Sequence, residues 1–211
     1  MELTGLLLPA WITKLSVGPL ETNSYILSGE KETWILDPGA EGNRIVQIGS
    51  ARSARIILTH GHADHWGGVD EVFQGLANAE LLYPKEDESL LYQADISLLR
   101  LLEIAPLRTQ GTPITPPLFL EMDRQRWKLQ ATPGHTPGHM VLVGEGLLFS
   151  GDLLFRGGVG RTDLPGGSFS LLCQSLRAML DFPDEMIVCP GHGPLTTIGA
   201  ERPFLESLCA L

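Results

Sequence analysis

Cysteine is scarce in this 211-residue chain: Cys173, Cys189 and Cys209 are odd in number and no two form a CxxC pair. That argues against a disulfide framework or a CxxC redox motif, and core thiols in a reducing cytoplasm are expected instead. Positive charge is also short. Fifteen Lys and Arg stand against 25 Asp and Glu, a formal charge of -10. A surface of that sign does not suit a phosphate backbone, so no nucleic acid partner is expected. Long apolar runs are missing too, none approaching the roughly 18 residues of a membrane helix. The opening "MELTGLLLPAW" begins acidic rather than basic, so neither a secretory leader nor a membrane association is expected. Nothing in the sequence sets an oligomeric state.

What is there is globular in composition, 43% hydrophobic and 19% charged, with length enough for one sizeable core. Strand-like runs open the chain at "ITKLSVGPL", "NSYILSG" and "ETWILDPG". There follow a helix near "NRIVQIGS", an apolar strand "ARIILT", and a helix over "WGGVDEVFQGLAN" with Val69, Val72, Phe73 and Leu76 at helical spacing. A strand "AELLYP" and a helical patch "KEDESLLYQADISLLRLLEIA" complete the first half. The Pro-rich, non-periodic "PLRTQGTPITPPLF" predicts a loop or connector. Beyond it the style repeats, with strands at "RQRWKLQATPG", "HMVLVGEG", "GLLFSGD" and "EMIVCPGH" and a helix over "SFSLLCQSLRAML". Strands followed by mixed strand and helix, twice over, predict an α/β chain of two packed sheets with helices outside.

The chemistry gathers where strands end. "ILTHGHADHWGG" places His60, His62, Asp64 and His65 within six positions, and His135, Asp152 and His192 each follow an apolar run in a Gly- or Pro-rich turn. Loops of this kind can converge because the strands beneath them are rigid. In an extended stretch His60 and His62 point the same way. Asp64 and His65 fall where the chain turns into the next helix and project to a neighbouring point. Two pairs aimed at adjacent positions suit two metal ions about 3.5–4 Å apart. Five of the six histidines lie in these motifs, and the sixth, His139, is expected to be structural or at most to support a ligand.

"THGHADH" resembles the HxHxDH signature of the metallo-β-lactamase superfamily, and "PGHTPGH", "SGD" and "PGHGP" resemble its later ligand motifs in order. Within it, "GDLLFRGGVGRTDLPGG" and "PGHGPLTTIG" are similar to the short glyoxalase II-like hydrolases. The resemblance implies a four-layer αββα sandwich, the metallo-β-lactamase fold, as a single domain over residues 1–211 without the helical C-terminal domain of two-domain glyoxalase II. It implies that His60, His62 and His135 hold one metal, that Asp64, His65 and His192 hold the other, and that Asp152 bridges them. Asp37 in "ILDPG" matches a residue that supports the site from behind.

The function implied is hydrolysis of S-acyl thioesters, in the manner of S-D-lactoylglutathione giving D-lactate and glutathione. A water shared by two cations ionises near neutral pH and attacks the carbonyl, with Asp64 and Asp152 as the catalytic carboxylates. A thiolate leaves without much acid help, its reference pKa being about 8.5. Zinc is the expected metal pair, with iron or manganese compatible with the same N and O donors. Where two-domain glyoxalase II grips glutathione, this chain offers Arg161 and Asp163. Arg161 is a candidate carboxylate contact or the partner of Asp163 in a salt bridge. Tyr83, Lys85 and Arg100 are candidate substrate contacts, with solvated helix residues the default expectation. The alternative function is a mononuclear-iron persulfide dioxygenase acting on glutathione persulfide, a family that shares the "GRTD" turn but ends its last motif as "PAHD".

Overall fold

The structure, a computed structural model, describes residues 5–49 and 53–208; Cys209 lies outside them. The first sheet takes β1 (Ile12–Val17), β2 (Thr22–Ser28), β3 (Glu32–Leu36), β4 (Ser53–Ile57), β5 (Ala79–Pro84) and β6 (Thr112–Ile114) in sequence order. β1, β2 and β3 run antiparallel, while β3 to β6 are mutually parallel. The helices α1 (Gly42–Val46), α2 (Ala63–Trp66), α3 (Val69–Gly75), α4 (Glu88–Tyr92) and α5 (Ile96–Leu101) belong to this half.

The second sheet holds β7 (Leu118–Met122), β8 (Gln125–Ala131), β9 (Met140–Gly144), β10 (Leu147–Gly151), β13 (Ile187–Pro190) and β14 (Thr196–Thr197). Its spatial order is β14, β13, β10, β9, β8, β7. A small hairpin of β11 (Leu154–Phe155) and β12 (Gly158–Val159) follows β10. The helices α6 (Phe169–Met179) and α7 (Ile198–Leu208) cover this sheet's outer face.

Period-two alternation explains the layering. On β2, β3 and β4, residues Leu27, Trp34, Leu36 and Ile57 face the other sheet and meet Trp127, Leu129, Leu142 and Phe149. Their sequence neighbours Ile26, Ile35 and Ile56 face outward and pack on Ile45, Trp66, Val69 and Val72 of the helices. In the second sheet Val141, Leu148 and Val188 likewise meet Leu172, Leu176 and Leu205. Strands buried on both faces read as continuous apolar runs. The result is the expected four-layer αββα sandwich.

Four details differ from the sequence reading. The predicted connector contains β6 and the start of β7. Pro113 is tolerated there because β6 is an edge strand, with β5 as its only neighbour. The helical patch breaks before Asp95, whose side chain accepts hydrogen bonds from the Ser97 and Leu98 amides and so starts a new helix, α5. Tyr83 is not a solvated helix residue. It is buried on β5 and donates its hydroxyl to Glu88 at 2.8 Å. Finally the tail after His192 forms α7, which Gly199 and Pro203 hide from any periodicity count. Its Glu201 is buried, accepting from the Gly157 amide and the Thr196 hydroxyl, while Arg202 holds Asp184, Leu180 O and Phe182 O.

Candidate metal centre

The ends of β3, β4, β8, β10 and β13 open on one edge of the sandwich and deliver Asp37, His60, His135, Asp152 and His192. His62 is the last extended residue before α2, whose first turn carries Asp64 and whose last carries His65. Close backbone approach makes two glycines necessary. A Cβ on Gly191 would meet Asp152 Oδ1 and His65 Cε1, and one on Gly39 would collide with the Asp64 carbonyl. The turn that presents His192 is held from the first sheet. Asn23 Nδ2 donates to Pro190 O and Gly193 O, the Tyr25 hydroxyl to Pro190 O, and Lys14 Nζ to Gly193 O.

All seven ligands expected from the sequence lie together. Donor atoms of His60, His62 and His135 fall within 4.8 Å of one another, as do those of Asp64, His65 and His192. Asp152 sits between the groups: Oδ1 is 3.3 Å from His65 Nε2 and 3.6 Å from His192 Nε2, and Oδ2 is 3.5 Å from His135 Nε2.

Hydrogen bonds fix which nitrogen of each ring points inward. His135 Nδ1 faces the Arg161 carbonyl at 2.7 Å and His192 Nδ1 faces that of Leu20 at 3.0 Å. Carbonyls only accept, so both Nδ1 atoms carry the proton and both Nε2 lone pairs face the cluster. His65 Nδ1 lies 3.0 Å from Asp37 Oδ2, which sets the same tautomer. Asp37 also accepts from the Thr59 amide and hydroxyl, and Thr59 Oγ1 in turn meets His60 Nδ1. Asp64 Oδ2 accepts from the Thr22 hydroxyl. Second partners of this kind orient ligands in metal sites. The expectation for Asp37 thus meets a matching geometry.

Three inward-facing atoms have no hydrogen bond of their own. His60 Nε2, His65 Nε2 and Asp152 Oδ1 are buried and lack any hydrogen bond among the described residues. Such groups are costly unless something polar meets them, and five imidazoles with two carboxylates are the donor set of a cation pair. The residues therefore fit two divalent ions.

Charge is distributed unevenly. Burial, then the charges of neighbouring imidazoles, push His60 well below the ordinary histidine range. Burial and the charge of His135 bring His62 down to about 4. His65 and His192 go the other way. Burial opposes it, but the carboxylates of Asp152 and Asp64 raise both. Asp152 is lowered to about 2, since the charge of His65 outweighs the burial that would raise it. The shifts thus run in opposite directions on the two sides of the cluster.

His139 and Arg161 take roles that the sequence reading left open, and one supporting residue was missed. His139 is fully buried; its Nε2 accepts the Asp152 amide at 3.1 Å and its Nδ1 meets Thr132 Oγ1 at 2.8 Å. It supports the backbone of Asp152, a role its spacing alone could not specify. The Arg161 guanidinium forks onto Asp163 at 2.6–2.7 Å on the surface, and it is the Arg161 backbone that reaches the site, through His135. Asp87, within "KEDESL", drew no attention as a sequence feature, yet it contacts both ligand loops.

Comparison with known proteins agrees with this geometry. Residues 17–192 match the model of the metallo-beta-lactamase superfamily. The chain is 35% identical to the probable metallo-hydrolase YqgX of Bacillus subtilis, with 92% of this chain and 96% of that protein covered. It is 33% identical to the hydroxyacylglutathione hydrolase GloC of Haemophilus influenzae, covering 87% and 92%. Among solved structures, BLEG-1 B3 metallo-beta-lactamase superimposes with a TM-score of 0.82 at 34% identity, covering 92% of this chain and 99% of that one. TTHA1623 in a di-iron-bound form gives 0.81 at 32%, covering 90% and 96%.

Proposed function

Because this chain belongs to the metallo-β-lactamase superfamily of metal-dependent hydrolases, we propose that it hydrolyses small S-acyl thioesters with two bound metal ions, S-D-lactoylglutathione being the model substrate. The observation that carries the reading is the placement of Asp152 between two complete triads of donors. A cation pair there supplies an ionised water near neutral pH and a positive charge beside the substrate carbonyl.

The protein's own contribution is orientation. Asp37 fixes His65, the carbonyls of Arg161 and Leu20 fix His135 and His192, and His139 fixes the backbone of Asp152. Asp64, held by Thr22, lies on the partly open side of the cluster beside His192, which is half-exposed. The Phe155 ring packs edge-on against His192 with centroids 6.0 Å apart and gives that side an apolar wall. The cluster itself offers no serine or cysteine nucleophile and no spare acid. Cys189 is buried between the sheets, where burial pushes its thiol up. A thiolate leaving group needs no such acid, which supports a thioester over an amide. GloC, the relative described above, is named for this chemistry. Zinc is the proposed pair, and iron or manganese suit the same donors. A single-iron dioxygenase would leave Asp64 and His192 without a task.

The test is release of free thiol from S-D-lactoylglutathione by metal-replete protein, beside a panel of other thioesters and one β-lactam. Thioester cleavage abolished by Asp152→Ala and by His65→Ala is the expected result. Opening of the β-lactam with every thioester left intact overturns the substrate class. One bound iron with oxygen uptake on glutathione persulfide overturns hydrolysis itself.

A further inference from the structure

We propose that Asp87 is a positioning residue that sets the gap between His62 and His135, and thereby the affinity of the metal position those two share with His60. The proposal rests on the reading of the cluster as a two-cation centre.

Asp87 ends the short turn Lys85–Asp87 that follows β5, and none of it is exposed. Its Oδ2 accepts from the Gly61 amide at 2.9 Å and from the Thr136 hydroxyl at 2.6 Å, and its Oδ1 from the Gly138 amide at 2.6 Å. Gly61 lies between His60 and His62, and Thr136 follows His135. One carboxylate therefore ties together two ligand loops that rise from different sheets. Both loops come close enough that a Cβ on Gly61 or Gly138 would run into the Asp87 side chain. Among the described residues no ion pair is recorded for Asp87, so its negative charge is met only by neutral donors and stands behind the cluster. A carboxylate in that position both orients ligands and favours a cation in front of them. The other half of the centre hangs from Asp37, Thr22 and the Leu20 carbonyl. Asp87 touches only the loops of the first triad, so its loss should weaken that metal position alone.

Asparagine at 87 keeps the shape but turns an N–H₂ toward at least one of the three donors. Asp70 is the matched control, since it accepts from the Arg108 and Thr109 amides and the Thr109 hydroxyl and touches no ligand loop. Chelator-stripped wild type, Asp87→Asn and Asp70→Asn are titrated with Co²⁺, reading both dissociation constants, the visible spectrum and the thermal midpoint. In Asp87→Asn one binding step weakens about 10–100-fold, the range for support residues, with altered bands for the all-histidine position and the other step unmoved. In Asp70→Asn both steps hold even as the midpoint falls. Thr136→Val, which removes one arm only, shows a smaller loss in the same step and serves if Asp87→Asn does not fold. Two Co²⁺ bound by wild type, with both steps weakened together or neither weakened in these variants, overturns this proposal alone. A wild type that takes up no Co²⁺ overturns the metal reading and this proposal with it.

Discussion

His62 Nδ1 and His135 Nε2 lie 2.9 Å apart, and the second of these can only offer a lone pair, because the His135 proton is committed to the Arg161 carbonyl. Without a cation, a proton on His62 Nδ1 must fill that gap. A cation held by His62 Nδ1 and His135 Nε2 would displace that proton to the other ring nitrogen of His62. Proton and cation compete for one position, and the buried histidines around it make the position sensitive to acid.

The sign of that sensitivity follows from His62, which burial and the charge of His135 hold at about 4. Its unfolded value is about 6.5, so between those limits the unfolded chain binds more protons and the metal-free fold loses stability as pH falls. His60 and His139 are also lowered by burial and add to the slope. His65 and His192 are raised and oppose it, their contribution being lost as pH rises through their folded values. Comparing chelated wild type with His62→Gln isolates one term. From pH 7 to 5 the wild type should lose about 1–2 kcal/mol more than the variant, or roughly 2–8 °C in midpoint. Equal losses would show that His62 is not held neutral.

Asp37 is the one acceptor for His65 Nδ1 and also meets both donors of Thr59. Its backbone is left-handed, with φ of 48°, a conformation Asp tolerates better than most residues. Asp37→Asn keeps that tolerance and removes the charge. We expect metal affinity to fall about 10–100-fold and the metal-free midpoint to fall as well, since the new amide nitrogen faces at least one of three buried donors, measured by zinc titration and calorimetry. Unchanged affinity would mean that Asp37 only shapes the turn.

Much of this was legible because the informative patterns are local. Period-two apolar runs marked the strands, and "THGHADH" on a strand end carried its own geometry. What was hidden depends on partners distant in the chain. Asp87 looks like one more charge at a solvated helix start until Gly61 and Gly138 are placed around it. His139 looks spare until β10 brings the Asp152 amide to its ring. β6 was lost because a proline that argues against a central strand is harmless at an edge.

His139→Phe tests that reading of the ring. Phenylalanine fills a similar volume but leaves the buried Asp152 amide without an acceptor, which costs about 1–3 kcal/mol. For a chain of this size the midpoint should drop by roughly 2–12 °C, with the Thr132 hydroxyl also losing the His139 ring while it keeps the backbone carbonyl. Differential scanning calorimetry of metal-free protein reads it directly. A neutral substitution would mean that a water takes over the Asp152 amide.

Gly191 separates the metal centre from the fold. Its amide donates to Gly151 O and its carbonyl accepts from the Asn23 amide, and an added methyl disturbs neither bond. The methyl would instead press on Asp152 Oδ1 and His65 Cε1. Overpacking of this kind should cost the metal-free protein about 1–3 kcal/mol. Zinc at 100 times its dissociation constant should stabilise wild type by about 2.7 kcal/mol, and the variant by far less. Thermal scans of both proteins, with and without zinc, decide the matter. If the variant gains as much from zinc as wild type, Asp152 Oδ1 and His65 do not face a common ion.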